Sequence, residues 1–184
     1  MNILGIDNGA TIGFASVKFD AGRFEIISYN KRNLFHWSVP DSPLLFKRLE
    51  YLHNEIESRI KENHIDFVAL ESMGRNGKDE REEPLKVWDI PTKSSIPSNP
   101  YYYQTIESIL FLNKPFYLVP RGFEYKIAFG QDVYNAISKR ERWGKPLQRR
   151  IYEITNLRDH CGDAAMVAIS LGHYLLDGVK LDKV

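Results

Sequence analysis

Asn2-Ile3-Leu4-Gly5-Ile6-Asp7, then Asn8-Gly9-Ala10-Thr11-Ile12-Gly13, then Phe14-Ala15-Ser16-Val17-Lys18-Phe19 is the stretch on which the fold turns. An apolar run closes on an aspartate, a glycine-bearing turn follows, and a second apolar run begins, which reads as strand, tight turn, strand. Asp20-Ala21-Gly22-Arg23 supplies a second turn before a third strand at Phe24–Tyr29. The chain therefore opens as an antiparallel meander of three strands. No basic leader precedes the first apolar run, so no signal peptide is expected.

Past the meander the period changes. Leu44, Leu45, Leu49, Leu52, Ile56 and Ile60 recur at steps near three and four with Glu and Lys between them, which predicts an amphipathic helix over 43–63. Ile65–Leu70 is continuous enough for a buried strand and runs into Glu71. Residues 74–100, charged at 77–83 and then rich in Pro and Ser, read as a long excursion rather than a linker between domains. A helix is expected over Tyr101–Leu112, a buried strand at Phe116–Val119 and the start of a helical region at Tyr125–Phe129. Leu147–Thr155 reads as a further helix. The last, Asp163–Leu176, is small and apolar nearly all round and so mostly buried. This order predicts one α/β domain over 1–184, a ribonuclease-H-like mixed five-stranded sheet flanked by helices.

Composition narrows the class. A chain of 184 residues, 43% apolar, builds one sizeable core and is too short for two ordinary domains. No run of 18 apolar residues occurs, so no membrane partner is expected. A single cysteine, Cys161, excludes an intramolecular disulfide and a multi-cysteine zinc site, and burial as a small apolar residue is its expected role. The expected location is the cytoplasm, of a bacterial or phage-infected cell. The net charge of +1 conceals an uneven distribution. Residues 121–150 hold eight basic side chains against three acidic ones, a surplus of five that leaves −4 for the rest. A basic segment on a mildly acidic body suits a polyanion, or is a solvated face.

Three acidic residues stand where chemistry could use them. Asp7 closes the first buried strand, Glu71 closes the fourth, and Asp163 is expected to open the last helix. Strand ends in an open sheet line the crevice where ligands sit. A charge ending an apolar strand is costly to desolvate unless it is paired or binds metal. Converging carboxylates suit Mg²⁺, with Mn²⁺ able to substitute, and two ions about 3.5–4 Å apart can activate water and stabilise a leaving oxygen in phosphodiester hydrolysis. His160 and Asp159 lie three and four residues before Asp163, so both share its helical face, and spacing leaves open which of them is the fourth ligand.

With these residues in view the chain resembles RuvC-type Holliday junction resolvases. Residues 3–15 look like their opening strand, aspartate and glycine turn, and Val68-Ala69-Leu70-Glu71 is similar to their second acidic strand. Lys126-Ile127-Ala128-Phe129-Gly130 and Gly144-Lys145-Pro146-Leu147-Gln148 resemble their two lysine-bearing segments. His160-Cys161-Gly162-Asp163-Ala164-Ala165 resembles their terminal motif. The resemblance implies Asp7, Glu71, His160 and Asp163 as the catalytic, metal-binding set, with Lys126 and Lys145 at phosphates. Arg149 and Arg150 of the basic segment join them as DNA-binding candidates. It further implies a metal-dependent endodeoxyribonuclease that resolves four-way junctions as a homodimer. The stretch after Glu71 and the spacing from Lys126 to Lys145 are both longer than in that family.

Other readings share parts of this pattern. An actin-like phosphate-binding module would use the same Gly5-Ile6-Asp7-Asn8-Gly9 turn but needs two domains, for which the chain is too short. A related nuclease on RNA–DNA hybrids or other branched DNA would carry the same acidic set. Tyr101, Tyr102, Tyr103 and Trp88 are candidates for base stacking or, more commonly, for packing. Arg75 and Lys78 follow Glu71 closely and either touch DNA or lie in a solvated loop.

Overall fold

The computed structural model describes residues 1–8, 11–20, 23–33, 44–72, 85–86, 100–120 and 144–177. Strands β1 (Asn2–Asn8), β2 (Thr11–Asp20) and β3 (Arg23–Asn33) form the expected meander. Helix α1 (Leu44–Glu62) leads to β4 (Phe67–Ser72), which pairs parallel to β1 in the register Ile3↔Phe67 to Ile6↔Leu70. A two-residue strand β5 (Leu85–Lys86), helix α2 (Pro100–Phe111) and strand β6 (Phe116–Pro120) follow, then helices α3 (Gly144–Thr155) and α4 (Asp159–Asp177). The sheet order is β3-β2-β1-β4-β6-β5. The five expected strands are all present in a mixed sheet, and β5 adds a short antiparallel strand beside β6, within the excursion after Glu71.

Alternation along β1 decides which helix goes where. Leu4 and Ile6 face one side with Ile12, Phe14, Val68 and Leu70, where α1 supplies Leu52 and Ile56 and α2 supplies Tyr102, Ile106 and Ile109. Ile3 faces the other side with Val17, Phe19, Ala69 and Val119, where α4 supplies Met166, Val167, Ala168 and Leu171. With both faces covered, β1 and β4 must be near-continuously apolar, which is how they read. Tyr102 is fully buried in the first core, so packing is its role; the side chains of Tyr101 and Tyr103, and all of Arg75, Lys78 and Trp88, lie outside the described residues. Arg59 of α1 is buried too. It makes two bonds to Glu55 Oε1 (2.9 and 2.6 Å) and stands 4.9 Å from the Phe14 ring centroid, pinning α1 to β2.

Two glycines set how closely α4 lies on the sheet. A Cβ at Gly5 would fall on the carbonyl oxygen of Ala164, and one at Gly13 on the carbonyl oxygen of His160. The helix answers with Ala164, Ala165 and Ala168, so backbone meets backbone, while Gly162 turns to Ile151 and Leu157. Gly5→Ala should therefore push α4 off β1 at a cost of about 1–3 kcal/mol or more. Urea unfolding measures this, and an unchanged midpoint would show that the close approach is not needed.

Candidate metal centre

The site forms where β1, β4 and α4 converge. Asp7 is the last odd-numbered residue of β1, so its carboxylate turns to the α4 face, buried at the carboxyl end of a parallel strand. α3 closes on Asn156 in the left-handed conformation (φ 56°), and a short link brings the chain to Asp159, also left-handed (φ 51°). The last helix thus begins at Asp159, which corrects the expectation that Asp163 opens it: Asp163 sits one turn inside. The favourable first-turn position for an acid belongs to Asp159 instead.

His160 Nδ1 and Asp7 Oδ2 are 2.7 Å apart. An ionised carboxylate only accepts, so Nδ1 carries the proton and donates it into this bond. The bond to Asp7 raises the imidazole above its ordinary pKa of 6.5; partial burial opposes this, and the charges of Asp7, Asp163 and Asp159 add to it. Asp7, His160 and Asp163 each present a ligand atom within 4.8 Å of the other two. Around an ion with bonds of about 2.0–2.1 Å, opposite donors stand about 4 Å apart. Atoms that all lie within 4.8 Å of one another are near enough to share one ion after small side-chain rotations. Two carboxylates and an imidazole suit a divalent cation.

The cluster faces an open cleft of about 500 Å³ lined by Thr11, Lys31, Gln148, Asp159, His160 and Asp163. Lys31 of β3 donates to Asp159 Oδ2 at 2.9 Å, with both side chains more than half exposed. The bond holds the Asp159 carboxyl below its usual range and the Lys31 ammonium above its own. Solvent screens such a pair, so it orients more than it stabilises.

Two solved structures match this fold along nearly its whole length. A Thermus thermophilus RuvC structure superposes with a TM-score of 0.60 at 15% identity, and T. thermophilus RuvC in complex with a Holliday junction substrate with 0.59 at 14%; each match covers 97% of both chains. The fold is that of RuvC. No family model and no curated protein matches the sequence.

Within this RuvC-like fold the expected residues separate into four groups. Asp7, His160 and Asp163 come together. Glu71, the penultimate residue of β4, lies on the same face; the register Ile6↔Leu70 brings it level with Asp7 one strand away, buried, and outside the group of three. Arg149 and Arg150 are exposed on α3, and each bonds Glu153 at 3.1 Å. Lys126 and the side chain of Lys145 lie outside the described residues. Asp159, the rival of His160 for the metal, turns to Lys31 instead of Asp7. Cys161 is buried, and burial raises its thiol pKa, as its apolar role requires. Sequence reasoning missed Thr11, Lys31 and Gln148. The Lys31-Arg32 pair closing a strand was the available signal, and a charge count over 121–150 does not reach it. Among the described residues no helix is long and apolar enough to cross a membrane.

Proposed function

We propose that this chain is a metal-dependent endonuclease that resolves four-way DNA junctions, acting as a homodimer of single-domain subunits. The observation that carries the reading is the Asp7–His160–Asp163 group at the carboxyl end of β1, in a cleft lined by a lysine, within a RuvC fold. The match to a RuvC bound to a Holliday junction substrate directs the choice of DNA.

Asp7, His160 and Asp163 would hold a divalent ion, Mg²⁺ by choice, and Glu71 beside Asp7 would serve a second. Bound there, the metal supplies Lewis acidity to the scissile phosphate and to the attacking water. Asp7 orients the His160 ring. In its neutral form His160 can bind the ion or take the proton of the water as its oxygen attacks phosphorus and the bond to the leaving strand oxygen breaks. Arg149 and Arg150, with Lys126 and Lys145, would meet backbone phosphates, which gives position and salt-dependent affinity without reading sequence. Two copies related by a two-fold axis would present two such sites to the two strands that must be cut. Incubating the protein with a synthetic four-way junction and with linear duplex, each with and without Mg²⁺, tests the reading. Paired cuts in the junction that require Mg²⁺ are expected; an intact junction in Mg²⁺ would refute it.

The proton on His160 links metal to pH. A ligand must shed its proton, so Mn²⁺ affinity should rise with pH, by up to about tenfold per unit below the raised pKa of His160, and then level off. The sign for stability is the reverse. The His160–Asp7 contribution is complete below the unfolded value of about 6.5 and is lost as pH rises through the higher folded value. Calorimetric titration at pH 6, 7 and 8 should show proton release on binding that shrinks as the affinity levels off. Metal affinity that does not vary with pH would remove His160 from the site.

A further inference from the structure

A second open cleft, of about 410 Å³, adjoins the metal centre and shares Gln148 and Asp159 with it. Arg149, Tyr152 and Arg158 complete its described lining. Its cations are placed differently from a scattered surface charge. The Arg158 guanidinium stacks over the Tyr152 ring, 5.0 Å from its centroid, and has no salt bridge among the described residues. An arginine lying on an aromatic ring keeps its charge and the donors at its edge for a planar or tetrahedral anion, with its conformational freedom already reduced. The described acid in the lining, Asp159, is taken up by Lys31. Lys31 itself borders the first cleft, beside His160 and Asp163. A cationic strip therefore leads from the acidic cluster past Lys31 to Arg158, with Arg149, paired to Glu153, beyond it. An extended polyanion is the partner such a strip fits, because the acidic cluster at its end would repel a phosphate left without these cations.

We propose that this second cleft seats the sugar–phosphate backbone of the cleaved strand beside the scissile linkage, with Arg158 as its main phosphate contact. Lys31 bridges the two clefts, exchanging Asp159 for a phosphate when DNA is bound. The proposal rests on the nuclease reading above and adds residues that the basic segment 121–150 does not include.

The test uses Asp7→Asn protein, so that the junction stays uncut, and follows four-way junction affinity against salt. Arg158→Ala and Lys31→Ala should each lower the log–log slope by about 0.9. Arg158→Lys keeps a cation and should keep most of the slope, which separates charge from folding. Asp159→Asn removes only the internal partner of Lys31 and should leave the slope unchanged. A neutral methylphosphonate at one linkage flanking the cut should weaken binding to the Asp7→Asn protein and not further weaken Arg158→Ala. An unchanged slope in Arg158→Ala, or an equal loss in Lys31→Ala and Asp159→Asn, would overturn the proposal, the latter showing that the pair is only a structural latch. Failure of the Asp7→Asn protein itself to bind the junction would instead refute the nuclease reading, and this proposal with it.

Discussion

Asp7→Asn is expected to reduce junction cleavage in Mg²⁺ by at least about a thousandfold while leaving junction binding near its original strength. The rate loss follows from what the side chain does. Asp7 is a buried carboxylate that belongs to the candidate metal-binding group and holds His160 by a 2.7 Å bond, so one substitution would both weaken metal binding and free the imidazole. Metal stabilisation of the transition state contributes several kcal/mol, and about 4 kcal/mol corresponds to a thousandfold. Binding should survive, because in the proposed reading its energy would come from lysines and arginines meeting phosphates, and removing one anion from the cleft can only help them. Asparagine nearly matches aspartate in volume, so the strand end should keep its packing. Single-turnover cleavage and gel-shift affinity, measured on the same preparation, check both halves. Full activity in Asp7→Asn, or undiminished wild-type cutting in chelator, would sink the metal mechanism.

His160→Ala should slow cleavage at least about a hundredfold, the lower end of general-base effects. His160→Asp should recover part of that, because a carboxylate can also hold the ion. Asp159→Asn should cost much less. The contrast is sharp because the two residues are neighbours on one helix: His160 bonds Asp7, while Asp159 bonds Lys31 with its side chain more than half in solvent. If Asp159→Asn stops cleavage and His160→Ala does not, the motif is misregistered by one residue. The pH profile gives a second check. Wild-type cleavage should fall as pH drops below the raised pKa of His160, since the protonated ring can neither ligate nor accept a proton, and this fall should be absent in His160→Asp.

The architecture was readable because periodicity and burial have the same cause here. Strands covered on both faces must be apolar throughout, so Ile3–Ile6 and Val68–Leu70 announce themselves, and the acid that ends each run stands out against them. Helix α1 reads from its leucine and isoleucine spacing, since solvent on one side leaves a stripe on the other. The short β5 left no such trace, because two residues cannot display a period. Helix starts were less legible. The last helix begins four residues before Asp163, because the left-handed turn at Asp159 depends on how the preceding link is tied down, by Thr155 Oγ1 bonding Ile151 O and Leu157 N.

Residue order and residue type were thus enough to mark Asp7, Glu71 and Asp163 as a set worth bringing together, and the resemblance to RuvC-type resolvases added His160. They could not choose between Asp159 and His160, because helical spacing puts both on the face of Asp163. Tertiary packing is what gives the two side chains different partners. Gly5 and Gly13 let the carbonyls of Ala164 and His160 sit directly against the sheet, and the resulting seat of α4 turns His160 to Asp7 and Asp159 out to Lys31. Lys31 likewise acquires its place at the cleft only through β3 and α4, 128 residues apart in the chain. Local sequence carries the period of an element and the chemistry of its side chains. The depth and rotation at which one element rests on another depend on atoms from both, so the partner of each side chain emerges only when they meet.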